Sequence, residues 1–243
     1  MKRAGFVLLS VGLLYLGGSC VSSGKTVLLA QKDPIALVSV VSNSDINWKD
    51  EEPIDPRNYV LLGRRALRDN PDLTIVSGAD ELINTAEKLF REAMADSGMI
   101  YLAENSVVLP SRAYGEARLN RNHLIEGEKV KPDGYRFIDY RDKNFPQALA
   151  AETGIQRCMF VEFNFVKFMA SGVGKSGNFR GEVDMTILIL DAKGKTIYKK
   201  TTSIRSSDSE RVSADVYSHS GLIDLFETAI TDVCDEFLYQ LTL

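Results

Sequence analysis

The stretch from Ile155 to Ala170 limits the fold more than any other, because apolar side chains occupy both of its alternations: Cys158-Met-Phe-Val-Glu-Phe-Asn-Phe-Val-Lys-Phe-Met169. Neighbouring residues of a strand point to opposite faces, so apolar residues at odd and even positions alike predict a central strand covered at least in part on each side. Glu162 and Asn164 interrupt the run on one face. Glu182 and Asp184 repeat that alternation in 181–190, while Val183, Met185, Ile187 and Ile189 line the opposite face. A buried carboxylate is costly unless paired, so the polar alternation reads as a solvated or partly covered face rather than a functional acid pair.

The remaining pattern arranges other elements around this strand. Ile35-Ala-Leu-Val-Ser-Val-Val41 is a β-branched run of buried-strand type, and the polar stretch 42–53, followed by Pro56, is a loop. Ser77, with an acid at Asp80, predicts a capped helix start; Leu82, Ile83, Ala86, Leu89, Phe90, Ala93 and Met94 then recur at helical spacing until Gly98. A short strand at 99–102, a helix near 112–119 and a helix over 145–152 ended by Gly154 follow, separated by the charged, irregular segment 120–144. Asp191-Ala-Lys-Gly194-Lys is a hairpin loop in which Gly194 supplies the positive φ, and 196–204 returns as a polar strand. A last helix over 213–241 carries the stripe Leu222, Phe226, Ile230, Val233, Phe237 and Leu241. This order predicts a single α/β domain of α+β-like build: a mixed or antiparallel central sheet of about 4–5 strands, helices packed on it, and a long C-terminal helix.

The amino terminus has a different character. Lys2 and Arg3 precede an apolar run to Leu16, then Gly17-Gly-Ser19 and Cys20, the order of a secretory signal peptide. The run is about 13 residues, whereas a spanning helix needs about 20. A cysteine directly after small residues resembles the bacterial lipobox, with one departure: Gly17 stands where a leucine is usual, and Leu16 is one place further back. The expected organisation is a lipoprotein signal peptide over 1–19, diacylglycerol on Cys20, a tether over 20–33 and one domain over 34–243. An ordinary secreted protein cut nearby is the alternative. Loss of Lys2 and Arg3 takes the formal charge from −4 to −6. With no basic run to neutralise phosphates, nucleic acid is excluded as a partner. Anchoring then falls to the acyl chains, at about 0.8 kcal/mol per buried CH₂.

Candidate chemistry elsewhere is sparse. Cys158 and Cys234 permit one disulfide or two small buried hydrophobes, and with only His123 and His219 available no metal-ligand spacing exists. Ser171-Gly-Val-Gly-Lys-Ser-Gly177 contains Gly-Lys-Ser, but Met169 stands where a phosphate loop needs its first glycine. Ser23-Gly-Lys-Thr26 fails similarly. No Gly-x-Ser-x-Gly turn occurs. Ser218-His219-Ser220 reads as helix capping and His123 as a solvated loop histidine. Trp48, Tyr135, Phe137, Tyr140 and Phe145 lie in or beside loops, where aromatics can either dock at lipid headgroups or pack locally.

The succession of elements over 35–241 resembles the α/β domain of curli-export (CsgG-type) lipoproteins and the related TolB amino-terminal domain. The pieces that carry the likeness are Ala86 to Tyr101, Ala148-Leu-Ala-Ala-Glu-Thr-Gly-Ile155, and Ile187-Leu-Ile-Leu-Asp-Ala-Lys-Gly-Lys-Thr-Ile-Tyr198. The relaxed lipobox and Ala36-Leu-Val-Ser-Val-Val-Ser-Asn43 are also similar to spirochaetal outer-membrane lipoproteins. The resemblance implies a non-enzymatic envelope lipoprotein, without cofactor beyond the lipid on Cys20, at the periplasmic face of the outer membrane. Its partners would be membrane lipid, an envelope protein or a second copy. An export-assembly subunit is the alternative reading; an envelope hydrolase rests on less.

Overall fold

The computed structural model describes residues 33–49, 70–74, 78–125, 128–173, 176–213 and 215–243. The signal peptide, Cys20, the tether up to residue 32, most of the loop after Lys49 and the cap residue Ser77 lie outside the described residues. Nine strands form one sheet: β1 (Ala36–Asn43), β2 (Asn47–Trp48), β3 (Leu73–Thr74), β4 (Lys129–Val130), β5 (Arg157–Val173), β6 (Ser176–Asp191), β7 (Thr196–Arg205), β8 (Glu210–Ser213) and β9 (Val216–Ser218). Helices are α1 (Asp80–Ser97), α2 (Asn105–Val108), α3 (Arg112–Glu116), α4 (Arg121–Ile125), α5 (Asn144–Thr153) and α6 (His219–Thr242). The class is as expected, and the sheet is larger than four or five strands. The additional strands have two to four residues each, too few to show a period in sequence.

The antiparallel pair β5–β6 is the spine, in register from Arg157↔Asp191 to Val173↔Ser176. No other strand is as long, so two partners share each flank. β1 and then β2 pair with β5 in parallel, while β7 and β8 pair with β6 antiparallel. Between β1 and β2 the β5 ladder would be left open at Phe165. There the Asn43 side chain substitutes for a strand: its amide nitrogen donates to the Phe165 carbonyl at 2.8 Å and its oxygen accepts from the Phe165 N–H at 2.7 Å. Both backbone groups are thereby satisfied where the chain departs from the sheet.

Alternation assigns the faces. Met159, Val161, Phe163 and Phe165 of β5, with Val183, Met185, Ile187 and Ile189 of β6, are buried under α1 and α6. α6 brings the predicted stripe plus Leu225 and Ala229, and Phe226 sets its ring edge against Phe165 at 5.4 Å between centroids. Gly181 makes this approach feasible, since a Cβ there would lie 3.1 Å from the Phe226 ring. Ala36, Val38, Cys158, Phe160 and Leu190 point the other way, into a smaller core with Val108, Ala113, Tyr114, Phe145 and Leu149 from α2, α3 and α5. Gly98 and Gly154 end α1 and α5 in left-handed conformation, and Gly194 turns the β6–β7 hairpin at φ 71°.

Three local expectations change. α1 begins at Asp80 after Ala79, which makes no side-chain cap. The segment 99–102 is a single bridge, Ile35↔Leu102, rather than a strand. The final helix starts at His219, because Glu210–Ser213 and Val216–Ser218 form β8 and β9; Ser218 is its cap, accepting from the Gly221 N–H at 2.9 Å.

Beyond Phe160 the second face carries Glu162, Asn164, Glu182 and Asp184 among its residues, and each of these acids finds a partner. Asp184 accepts from Asn164 at 3.2 Å and from Ser203 at 2.5 Å. Glu162 takes Lys129 at 2.7 Å. Glu182, 4% exposed, binds Lys49 and, at 2.5 Å, Arg205. Burial works to raise the Glu182 pKa, but the hydrogen bonds and charges of Lys49 and Arg205 outweigh it and hold the carboxyl below its ordinary value.

Two expectations follow. Phe226→Ala empties a fully buried site between helix and sheet, and should cost about 3–5 kcal/mol in urea unfolding. Glu182→Gln should cost about 1–3 kcal/mol at pH 7. Because the Glu182 pKa is depressed on folding, its contribution is present above the unfolded carboxyl value of about 4.3 and lost as pH falls through the folded one. The gap between wild type and Glu182→Gln should therefore close as pH falls below about 4.3 and on through the lowered folded value; a gap constant with pH would mean that the charge is not the stabilising element.

Candidate functional site

The second face is covered only over the first part of β5, and where its cover ends a cavity opens. Its volume is about 410 Å³, and it lies between the sheet and two stretches of chain, 120–123 and 138–141. Val41, Phe160 and Leu188 form an apolar floor, and Ile138 stands in the wall. Asn120, His123, Arg141, Glu162, Thr186 and Lys199 supply the polar lining. Each floor residue is positioned by register: Phe160 and Leu188 are direct partners on β5 and β6, and Lys199 of β7 stands opposite Leu188.

The wall belongs to the segment that looked least foldable in sequence. Its two arms pair locally, with Asn120 N–H donating to the Phe137 carbonyl at 2.7 Å and Asp139 N–H to the Arg118 carbonyl at 2.9 Å. Tyr135 pins it to α1, where its hydroxyl accepts from Arg91 at 2.9 Å and donates to Glu87 at 2.8 Å. Burial raises the Tyr135 pKa above the usual phenol range. Tyr114 pins it to α3, accepting from the Arg136 N–H at 2.9 Å, and burial pushes this phenol up to about 12. Both tyrosines thus stay neutral at physiological pH and serve as hydrogen-bonding posts.

Asp139 organises the charges at the rim. It is 7% exposed and takes Arg118 at 3.0 Å and Arg141 at 3.1 Å. Burial opposes ionisation, but the Arg141 amide and guanidinium, together with the Arg118 charge, prevail and keep this carboxyl below its ordinary value. His123 lies half-buried beside Asn120, 3.1 Å away, with its ring edge 5.9 Å from Phe137. It is a packed residue rather than a solvated loop histidine. Lys199 is exposed and has no hydrogen-bonding or ionic partner among the described residues.

The other residues singled out in the sequence are placed as follows. Cys158 belongs to the core of the second face and Cys234 to that of the first, so the sheet separates them; both are free, buried thiols, pushed up by burial to about 12. Of the two alternatives left open for the loop aromatics, Trp48, Tyr135 and Phe145 take local packing: all three are buried. Trp48 donates to Asp215 at 3.1 Å and packs edge-on against Phe179, and Lys167 lies over its ring. Phe137 is half-buried. Tyr140 remains exposed, at 50%. Cys20 lies outside the described residues. No three His, Cys, Asp or Glu side chains converge among the described residues.

The cavity was not legible in sequence, since its lining comes from β1, β5, β6, β7 and an irregular wall. One signal did exist: the even positions of β5 change from Cys158 and Phe160 to Glu162 and Asn164, which marks the boundary where the cover stops.

The chain matches no protein family and no curated protein. Among solved structures it is similar to the LpoB C-terminal domain from Salmonella enterica, at 9% identity over 75% of this chain and 93% of that one, with a TM-score of 0.27. It is also similar to lipoprotein GNA1162 from Neisseria meningitidis, at 14% identity over 84% and 99% with a TM-score of 0.31, and to LpoB from E. coli, at 9% identity over 83% and 81% with a TM-score of 0.28.

Proposed function

We propose that this chain is a non-enzymatic envelope lipoprotein, held by acyl chains on Cys20 at the periplasmic face of the outer membrane, whose domain engages an envelope protein. One observation carries the reading: Cys20 directly follows Gly17-Gly-Ser19 after a charged start and an apolar run too short to span a bilayer. The architecture is compatible with a tether. The described chain enters at Asp33, runs straight into β1, and is fastened there by Arg157 donating to the Asp33 carbonyl. No helix among the described residues is long and apolar enough to cross a membrane. The amphipathic helices α1 and α6 spend their apolar stripes on the sheet, which leaves the acyl chains as the lipid contact and the polar half of the second face as the surface for a partner.

The serine, histidine and acid groups assessed as catalytic candidates have structural work. Ser218 caps α6, and His219 reaches Glu81 at 3.2 Å. Glu162, Glu182 and Asp184 are tied into pairs on the sheet.

Expression of the full chain with an alkyne-bearing palmitate tests the reading. Cys20 should be acylated, the mature amino terminus should begin at that residue, and Cys20→Ser should lose the label and leave the membrane pellet. An unmodified Cys20 in wild type, or Cys20→Ser retained in the membrane, would refute lipid anchoring.

A further inference from the structure

We propose that the cavity on the second face is a binding site for a small organic anion with an apolar body, such as a carboxylate or phosphate monoester carried on an aromatic or hydrocarbon frame. This does not rest on the acylation of Cys20. At about 410 Å³ the space is of small-molecule size, within the usual range of about 300–1,000 Å³. Its two halves differ in chemistry. The floor of Val41, Phe160 and Leu188, with Ile138 beside it, is apolar and offers a ligand body nothing to hydrogen-bond. The rim is polar and cationic.

The charge count decides the sign of the ligand. Two cations, Arg141 and Lys199, and one carboxylate, Glu162, line the opening. Asp139 is shared by Arg118 and Arg141, and Glu162 is occupied by Lys129. One positive charge therefore remains in excess among the lining groups, and Lys199 is the one of them with no partner among the described residues. A cationic ligand would meet this surplus and find Glu162 already engaged. A neutral one would leave it unanswered. An anion whose apolar part rests on Phe160 and Leu188 puts its charge within reach of Lys199 and the free arm of Arg141, where ionic hydrogen bonds are stronger than neutral ones. The site is also preformed: the floor is central sheet, and the wall is fixed by Tyr135, Tyr114 and Asp139. Little ordering remains to oppose binding.

Calorimetric titration of the full chain in nonionic detergent, against a detergent blank, tests the proposal with 2-naphthoate, 2-naphthyl phosphate and the neutral 2-naphthamide. At least one anion should bind with one-to-one stoichiometry and more tightly than the amide. Lys199→Gln, an exposed substitution that leaves the core untouched, should weaken the anion about tenfold and leave the amide unchanged. Val41→Trp should fill the floor and abolish binding of both. No binding by either anion, equal affinity for anion and amide, or full affinity in Lys199→Gln would overturn the anionic assignment. Binding that survives Val41→Trp would overturn its location.

Discussion

The ladder between β5 and β6 is the interaction on which everything else depends. It runs in one register with a single irregularity, between Met169 and Ser171, and its first half is apolar on both faces. Such a pair cannot stand alone in water, because a two-stranded ribbon is marginal and this one exposes large side chains on both sides. It needs a helical layer on each face near its start and on one face further along. α1 and α6 provide the full-length layer; α2, α3 and α5 provide the partial one. The flanking strands are consequences as well. Each is too short to span the hairpin, so the sheet changes partners midway on both sides, and the Asn43 side chain closes the seam left between β1 and β2.

The partial cover explains both the polar band and the cavity. Where α5 and its neighbours stop, Glu162, Asn164, Glu182 and Asp184 break up the second face, which keeps Val166 and Phe168 further along from joining one large exposed apolar patch. Each carboxylate is then satisfied locally, which keeps the band from being a set of free charges. The segment carrying Tyr135 and Asp139 cannot close against polar strands as tightly as helices close against apolar ones. It is held to α1 through Tyr135 and to α3 through the Arg136 amide, and the space left between it and the sheet is the cavity.

Much of the fold could be read from the residues, for a definite reason. Long elements announce themselves by period: α1 through Leu82, Ile83, Ala86, Phe90 and Met94, α6 through its stripe, β5 and β6 through alternation, and Gly98, Gly154 and Gly194 as their stops. What stayed hidden depends on contacts distant in sequence. β8 and β9 are too short for a pattern and exist because β6 has ladder positions left over at 177–179. Trp48 and Phe145 have loop-like neighbours, yet pack into the interior because tertiary contacts rather than local polarity decide burial. The candidate site is the extreme case. Lys199 carries no signal in sequence and joins His123 at the cavity only because β7 folds back beside β6.

The placement of the open half also bears on what the domain can meet. The described chain enters at the end where β5 begins, and β5 then runs on for most of its 17 residues, about 50 Å at roughly 3.3 Å per residue. On the proposed anchoring, a tether of 13 residues from Val21 to Asp33 spans at most about 45 Å. On that reading the tether would join the domain at the covered end of the sheet, and the polar band lies beyond it along β5. Anchoring at Cys20 would then separate two tasks along one strand: the end rich in apolar packing would carry the tether, and the face with paired charges would lie farther along. A partner recognised there would meet fixed hydrogen-bonding groups on a rigid sheet, and the cavity, lying at the junction, would be within reach of both.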